Sequence, residues 1–294
     1  MRARRKILIF TAFISGACLL AGSVFLVYKF KTADGRKTET TQKEEVKKDV
    51  KIGWISDVHA GKEKPDKDRG FPSFPKEYKK YLEKVFSEMK NEEINTVINT
   101  GDTTNRSDQK IAGKVIELTK AMGINMIIVK GNHDGPQTSA ALGLTQYYYY
   151  YDLGDVRIIV LDDTFESEKM ENYWESEYAN YDEYQGFINQ AQLEWLKETL
   201  KTDKKVIVAM HIPVFTAEDV GGQFLPRYAE FEKIIRESGK VKLVISGHDH
   251  AYWEREYNGI RYKSLYPLTQ KTRKGTYAII NLADFSVEYR IGNE

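Results

Sequence analysis

Five apolar, β-branched runs in this chain each end on a short polar stretch. KIGWIS leads into Asp57-Val-His59, TVINT into Gly101-Asp102, and MIIVK into Gly131-Asn132-His133-Asp134. VIVAM leads into His211, and KLVIS into Gly247-His248-Asp249-His250. Short Val- and Ile-rich runs bounded by turn formers read as strands buried on both faces. Strand ends from distant parts of a chain converge only where the strands share a sheet. Delivering Asp, Asn or His at every one of them predicts a single polar site on the rim of that sheet. All five histidines (59, 133, 211, 248 and 250) fall in these stretches.

Between the strands the pattern changes to a helical period. Residues 76–90 place Tyr78, Tyr81, Leu82, Val85, Phe86 and Met89 on one face, a stripe that packs on a core. Residues 108–122, 190–200 and 227–238 read as further helices, the last stopped by Gly239 at a C′ position. The βαβαβ order over 50–130 predicts an α/β fold with parallel strands and right-handed crossovers. Residues 136–151 read as a loop ending in five tyrosines, Tyr147 to Tyr151. These form either a strand with one wet face or an aromatic wall along the site. After strand 156–163, the acidic, aromatic stretch 164–187 reads as a lid insertion or as a solvated edge. Asn258-Gly259 between two alternating runs signals a hairpin. Two more strands over 276–292 make the carboxy-terminal part antiparallel.

The amino-terminal end is of another kind. Residues 7–28 hold no charge, and about 20 apolar residues suffice to cross a bilayer. Arg2, Arg4, Arg5 and Lys6 precede the span, which favours a cytoplasmic amino terminus. The expected organisation is a basic tail at 1–6, a transmembrane helix at 7–28, a flexible stalk at 29–48 and a catalytic domain at 49–294. That domain would lie outside the cell membrane. The span is longer than the apolar region of a cleaved signal peptide. Lipidation at Cys18, the only cysteine, is the other alternative. With one cysteine, neither a disulfide nor a thiolate zinc site can form within the chain. Beyond residue 30 the chain carries 39 basic against 43 acidic residues, which disfavours nucleic acid as a partner. No protein partner can be inferred.

The polar stretches have the chemistry of a divalent-metal site. Carboxylate, amide oxygen and imidazole suit hard or borderline cations. Asp57 and His59, two apart at a strand end, can face one side, as can His248 and His250. Asp249 between the latter should point away. Gly101 lets the backbone bring Asp102 between two ions, one carboxylate oxygen to each. Asn132 adds a neutral oxygen. Two such ions acidify a water between them and clamp the attacking and leaving oxygens of a phosphate ester. His133 stands beside a ligand and can stabilise charge on phosphorus or protonate the leaving oxygen. Asp134 could orient a ring N–H, or cap the turn that follows.

Taken together, Asp-x-His, Gly-Asp, Gly-Asn-His-Asp, His and Gly-His-x-His resemble the motif set of the calcineurin-like metallophosphoesterases over about residues 51–292. The resemblance implies a four-layer α/β/β/α sandwich with two mixed β-sheets. It implies one ion on Asp57, His59, Asp102 and His250, and a second on Asp102, Asn132, His211 and His248, with His133 facing substrate. The pattern is most similar to the small single-domain phosphodiesterases, which include class III cyclic-nucleotide phosphodiesterases. Asn105 stands where purple acid phosphatases carry an iron-binding tyrosine. Asn105-Arg106 replaces the Asp-Arg of protein serine/threonine phosphatases, although Arg106 could still touch phosphate. The expected function is two-metal hydrolysis of a small phosphomonoester or phosphodiester, with a metal-bridging hydroxide as nucleophile. The ions would be Mn, Fe, Zn or Mg. A nuclease of the same fold and a non-catalytic receptor are the alternatives.

Overall fold

The computed structural model describes residues 50–62, 75–164, 186–215, 224–270 and 275–291. The expected anchor and stalk (7–28 and 29–48), and nearly all of the 164–187 segment, lie outside those residues. Among the described residues, no helix is long and apolar enough to cross a membrane.

The apolar runs pair into two mixed sheets. In the first, β1 (Lys51–Ile55), β2 (Thr96–Asn99) and β3 (Asn125–Ile128) run parallel. On the other side of β1 lie β10 (Tyr277–Asn281) and then β11 (Val287–Arg290), each antiparallel to its neighbour. The second sheet is ordered β4 (Tyr149–Leu153), β5 (Val156–Val160), β6 (Lys205–Ala209), β7 (Val241–Ser246), β9 (Ile260–Ser264), β8 (Trp253–Tyr257). Its central strands β5, β6, β7 and β9 are parallel, and β4 and β8 close it antiparallel. The Asn258-Gly259 hairpin forms as its sequence requires, with φ of 50° and 76° at the two turn residues, the left-handed pair of a type I′ turn. Its second strand nevertheless lies parallel to β7, so the carboxy-terminal part is not wholly antiparallel. The hairpin signal is local and does not specify which of its strands joins the sheet.

Helices cover the outer faces. The apolar stripe of α1 (Tyr78–Asn91) and that of α2 (Gln109–Ala121) pack on the first sheet, with Leu82, Phe86, Ile111 and Val115 beside Ile55, Val97 and Ile279. Asp108 caps α2, its carboxylate accepting from the amides of Lys110 and Ile111. The second sheet is covered by α4 (Gln190–Thr199) and α5 (Ala229–Ser238), through Leu193, Leu196, Phe231 and Ile235. Between the sheets, Trp54, Ile98 and Ile280 of one meet Ile158, Ile207 and Leu243 of the other. The layers therefore run helix, sheet, sheet, helix. Residues 136–151 are not all loop: Pro136–Ala141 forms α3, with proline in its first turn.

The tyrosine run lies along one edge. Tyr148 packs edge-on against Trp195 of α4, and Tyr150 points outward under the Arg157 guanidinium. Tyr149 faces inward, and its hydroxyl bonds both the amide (3.1 Å) and the carbonyl (2.8 Å) of Ile128 on β3, the edge strand of the other sheet. One hydroxyl thus satisfies two edge groups that no strand pairs. A buried ion pair makes a second tie between the sheets. Lys130, just after β3, reaches Asp162, just after β5, at 3.2 Å, and both side chains are fully buried. The Thr164 hydroxyl also accepts from this ammonium.

Candidate metal centre

Every candidate ligand lies beyond the carboxyl end of a parallel strand, the place where open α/β sheets bind ligands. Asp57 and His59 follow β1, Asp102 follows β2, and Asn132 follows β3. His211 follows β6, and His248 and His250 follow β7. The geometry brings all seven together. His59 Nε2 stands 2.9 Å from His250 Nε2, 3.6 Å from Asp102 Oδ2 and 3.8 Å from Asp57 Oδ1. His250 Nε2 is 3.4 Å from Asp57 Oδ1. On the other side, His211 Nε2 lies 3.4 Å from Asp102 Oδ1 and 2.8 Å from Asn132 Oδ1. His248 Nδ1 lies 3.0 Å from the same Asn132 oxygen.

Separations of 3.4–3.8 Å between ring nitrogens and carboxylate oxygens are long for hydrogen bonds. They suit atoms that share a cation about 2.0–2.2 Å from each. Three overlapping sets emerge: Asp57–His59–His250, His59–Asp102–His133 and Asp102–His211–His248, the donor atoms of each lying within 4.8 Å of one another. Asp102 belongs to two of them and turns one oxygen to each half of the site. The donor set therefore fits divalent cations. His59 Nδ1 is buried without a hydrogen-bond partner among the described residues.

The backbone here is held where L-residues rarely go. Asp57, His59, Asp102, His248 and His250 all have φ between 44° and 68°. Left-handed backbone at a side-chain-bearing residue costs of order 1–3 kcal/mol and persists only where its surroundings impose it. The glycines beside these residues explain part of the packing. Gly101 has φ of 105°, and a Cβ there would run into the His211 ring. A Cβ on Gly247 would collide with Ser56 Oγ and Asp57 Oδ2.

Burial and charge set the protonation of the cluster. Burial alone would raise both carboxylates. At Asp57 the His250 hydrogen bond and the His250 and His211 charges together outweigh it, and at Asp102 the charges of His211, His133 and His59 with the His211 hydrogen bond do, so both end below the usual range. Burial pushes His59 and His248 down to about 3. At His211 burial acts the same way but loses to Asp102, and the ring is raised to about 10.

His133 adjoins the cluster, its Nε2 3.9 Å from Asp102 Oδ2. Its Nδ1 donates to the Asn105 carbonyl at 2.6 Å, which turns Nε2 toward the site. Asn105 thus acts through its backbone. Arg106 is exposed and is not drawn into the cluster. Asp134 neither orients a ring nor caps the next turn. It accepts from the amides of Thr103 (2.9 Å), Thr104 (3.0 Å) and Gly131 (3.2 Å), pinning the Asp102 loop to the Asn132 loop. Main-chain donors lie nearer to it than any ring. Asp249 turns from the cluster as expected, its carboxylate accepting from the Trp253 indole at 3.1 Å. One supporting residue was not foreseen. Asp163 accepts from the amides of His211 (3.1 Å) and Ile212 (2.9 Å) and so fixes the His211 loop. It too is an acid directly behind an apolar strand, the signal that marked the ligands.

Imidazole, carboxylate and amide donors, gathered at the strand ends of two stacked mixed sheets, define an α/β protein with a candidate divalent-metal centre. The family model of the calcineurin-like phosphoesterases matches residues 50–252, more than half of the chain, and the chain belongs to that family. It is therefore a metal-dependent phosphoesterase. It is similar to a probable cyclic nucleotide phosphodiesterase of Psychrobacter arcticus, with 23% identity over 221 residues, covering 72% of this chain and 77% of the relative. A shorter stretch of 88 residues is 31% identical to a manganese-dependent ADP-ribose/CDP-alcohol diphosphatase of Arabidopsis thaliana, 28% of each chain. Its fold is like that of a dimetal phosphatase from Danio rerio. The TM-score is 0.62 at 16% identity, and the likeness covers 82% of this chain and 95% of the other.

Proposed function

We propose that the chain hydrolyses small phosphate esters, phosphodiesters foremost, at a centre of two divalent ions. The observation that carries this reading is the placement of Asp102, whose two oxygens face two different donor sets, 3.6 Å from His59 and 3.4 Å from His211. Asp57, His59, Asp102 and His250 would hold one ion, and Asp102, Asn132, His211 and His248 the other. Bound there, the ions would neutralise the ester's charge and acidify a water. The protein's own part falls to His133, whose Nε2 side, set by the Asn105 carbonyl, can donate to the phosphoryl or leaving oxygen. Asp163 and Asp134 keep the loops in register while charge moves.

A nucleotide or envelope-derived ester fits better than nucleic acid, because the chain beyond residue 30 has no basic excess. The relatives named as a cyclic nucleotide phosphodiesterase and an ADP-ribose/CDP-alcohol diphosphatase support small phosphate compounds as substrates. We further propose that residues 7–28 anchor the chain in the cell membrane with the catalytic domain outside. Their lack of charge and the basic residues before them support this.

The test is a Mn²⁺-supplemented assay of the full chain on an aryl phosphomonoester, an aryl phosphodiester, cyclic nucleotides and single-stranded DNA. Small diesters should be the best substrates. Asp102→Ala and His211→Ala should lose bound metal, whereas His133→Ala should keep it and turn over about 10²–10⁴-fold more slowly. Normal metal content in Asp102→Ala would refute the bridge, and salt-sensitive cleavage of DNA above all else would favour a nuclease.

A further inference from the structure

The reading above leaves one oxygen of Asp57 unused. Oδ1 faces His59 and His250, at 3.8 and 3.4 Å. Oδ2 receives the Ser56 hydroxyl. The His248 amide lies 3.2 Å from both oxygens. Behind Ser56 the hydrogen bonds continue. The Thr100 hydroxyl lies 2.7 Å from Ser56 Oγ, and the Trp54 indole nitrogen lies 3.0 Å from Thr100 Oγ1.

The direction of this chain is fixed at both ends. An indole N–H can only donate, and an ionised carboxylate can only accept. Thr100 must therefore accept from Trp54 and pass its single hydrogen onward. Ser56 Oγ is the near acceptor at 2.7 Å, and the Ile55 carbonyl is a distant alternative at 3.4 Å. Ser56 in turn donates to Asp57. All four side chains are fully buried, so water cannot stand in for a missing link. A buried tryptophan ordinarily needs a partner for its N–H. Here Thr100, 46 residues away in sequence, meets that need, and the chain of hydrogen bonds ends on the candidate ligand Asp57, next to Ser56. Thr100 also serves the other half of the site, because its carbonyl accepts from His211 Nδ1 at 2.8 Å.

We infer that Trp54, Thr100 and Ser56 are positioning residues that occupy Asp57 Oδ2 and so make Asp57 a one-oxygen ligand, through Oδ1, for the ion it shares with His59 and His250. The inference rests on the two-ion reading. Partners behind a metal ligand characteristically change metal affinity 10–100-fold. Loss of the Thr100 hydroxyl should therefore weaken the Asp57 ion more than the other, because the Thr100 carbonyl that holds His211 stays in place and His211 and His248 both still meet Asn132.

The experiment is Mn²⁺ titration by calorimetry on the full chain, with folding followed by circular dichroism. Wild type should show two classes of site. Thr100→Val keeps the shape and the carbonyl but removes the hydroxyl. It should weaken one class at least tenfold and leave the other within about threefold. Thr100→Ser, which restores the hydroxyl, should recover the weakened class. Trp54→Phe deletes the first donor together with some buried ring volume and should weaken the same class less, which gives a second reading should Thr100→Val fold poorly. Unchanged affinities in folded Thr100→Val and Trp54→Phe, or equal weakening of both classes, would overturn the positioning chain. Failure of wild type to bind two ions would instead overturn the reading on which it rests.

Discussion

His211 stands between two acceptors, the Thr100 carbonyl at 2.8 Å from Nδ1 and the Asn132 oxygen at 2.8 Å from Nε2. A doubly protonated ring satisfies both, consistent with its elevation to about 10 beside Asp102. His59 and His248, pushed down to about 3, are neutral under the same conditions. A ligand nitrogen must give up its proton to bind metal. With the pKa of His211 raised, metal uptake below pH 10 must expel that proton, so affinity should climb with pH by up to about tenfold per unit and level off above it. Calorimetry at pH 8 in buffers of different ionisation enthalpy should register about one proton released as the His211 ion binds. Uptake that neither releases a proton nor varies with pH would show that the His211 ring is already neutral before the ion arrives.

At the scale of elements, the strand ends were legible because each combines two strong signals, an apolar β-branched run and a polar residue that no strand interior would carry. The supports behind them were not. Ser56 and Thr100 are ordinary last residues of their runs, and only pairing β1 with β2 in parallel brings their hydroxyls together. The helix α3 was missed because PQTSAA has no apolar period to reveal it. The tyrosine run could be read as a strand, but its use could not, since the Tyr149 bonds join strands of different sheets. Tyr149→Phe should cost about 1 kcal/mol, the worth of a typical hydrogen bond, or roughly 2–4 °C in melting temperature for a domain this size. A melting curve identical to the parent's would show that water satisfies the β3 edge equally well.

For the molecule as a whole, the Lys130–Asp162 pair is the polar counterpart of the apolar interface between the sheets. Two charges fully withdrawn from water attract strongly, yet their desolvation offsets much of the gain. The pair is therefore weak evidence for net stability but strong evidence about what happens when it is broken. Lys130→Met leaves the Asp162 carboxylate buried and uncompensated, at a cost of about 3–5 kcal/mol. Adding Asp162→Leu should return a good part of that loss. Chemical denaturation of both variants measures the difference, and a single variant as stable as the parent would mean that water reaches Asp162. The layer order and the rim location of the site follow from the alternation of apolar runs with helical stripes. The inter-sheet lysine does not, because Lys130 looks in sequence like the polar end of a strand.

Five left-handed side-chain-bearing positions in one site also shape how such a protein can age under mutation. Relaxing any of them to glycine relieves the backbone and forfeits a metal donor together, so function and fold pull on the same codons in opposite directions. In chelator, His250→Gly should melt no lower than its parent, with a gain of about 1 kcal/mol from φ of 53°, while Mn²⁺ should stabilise only the parent. A lower melting point in chelator would show that the His250 contacts with His59 and Asp57 outweigh any relief of the turn. If the gain is found, a lineage that no longer needs the chemistry has a downhill path away from it, and a working site records continuing selection.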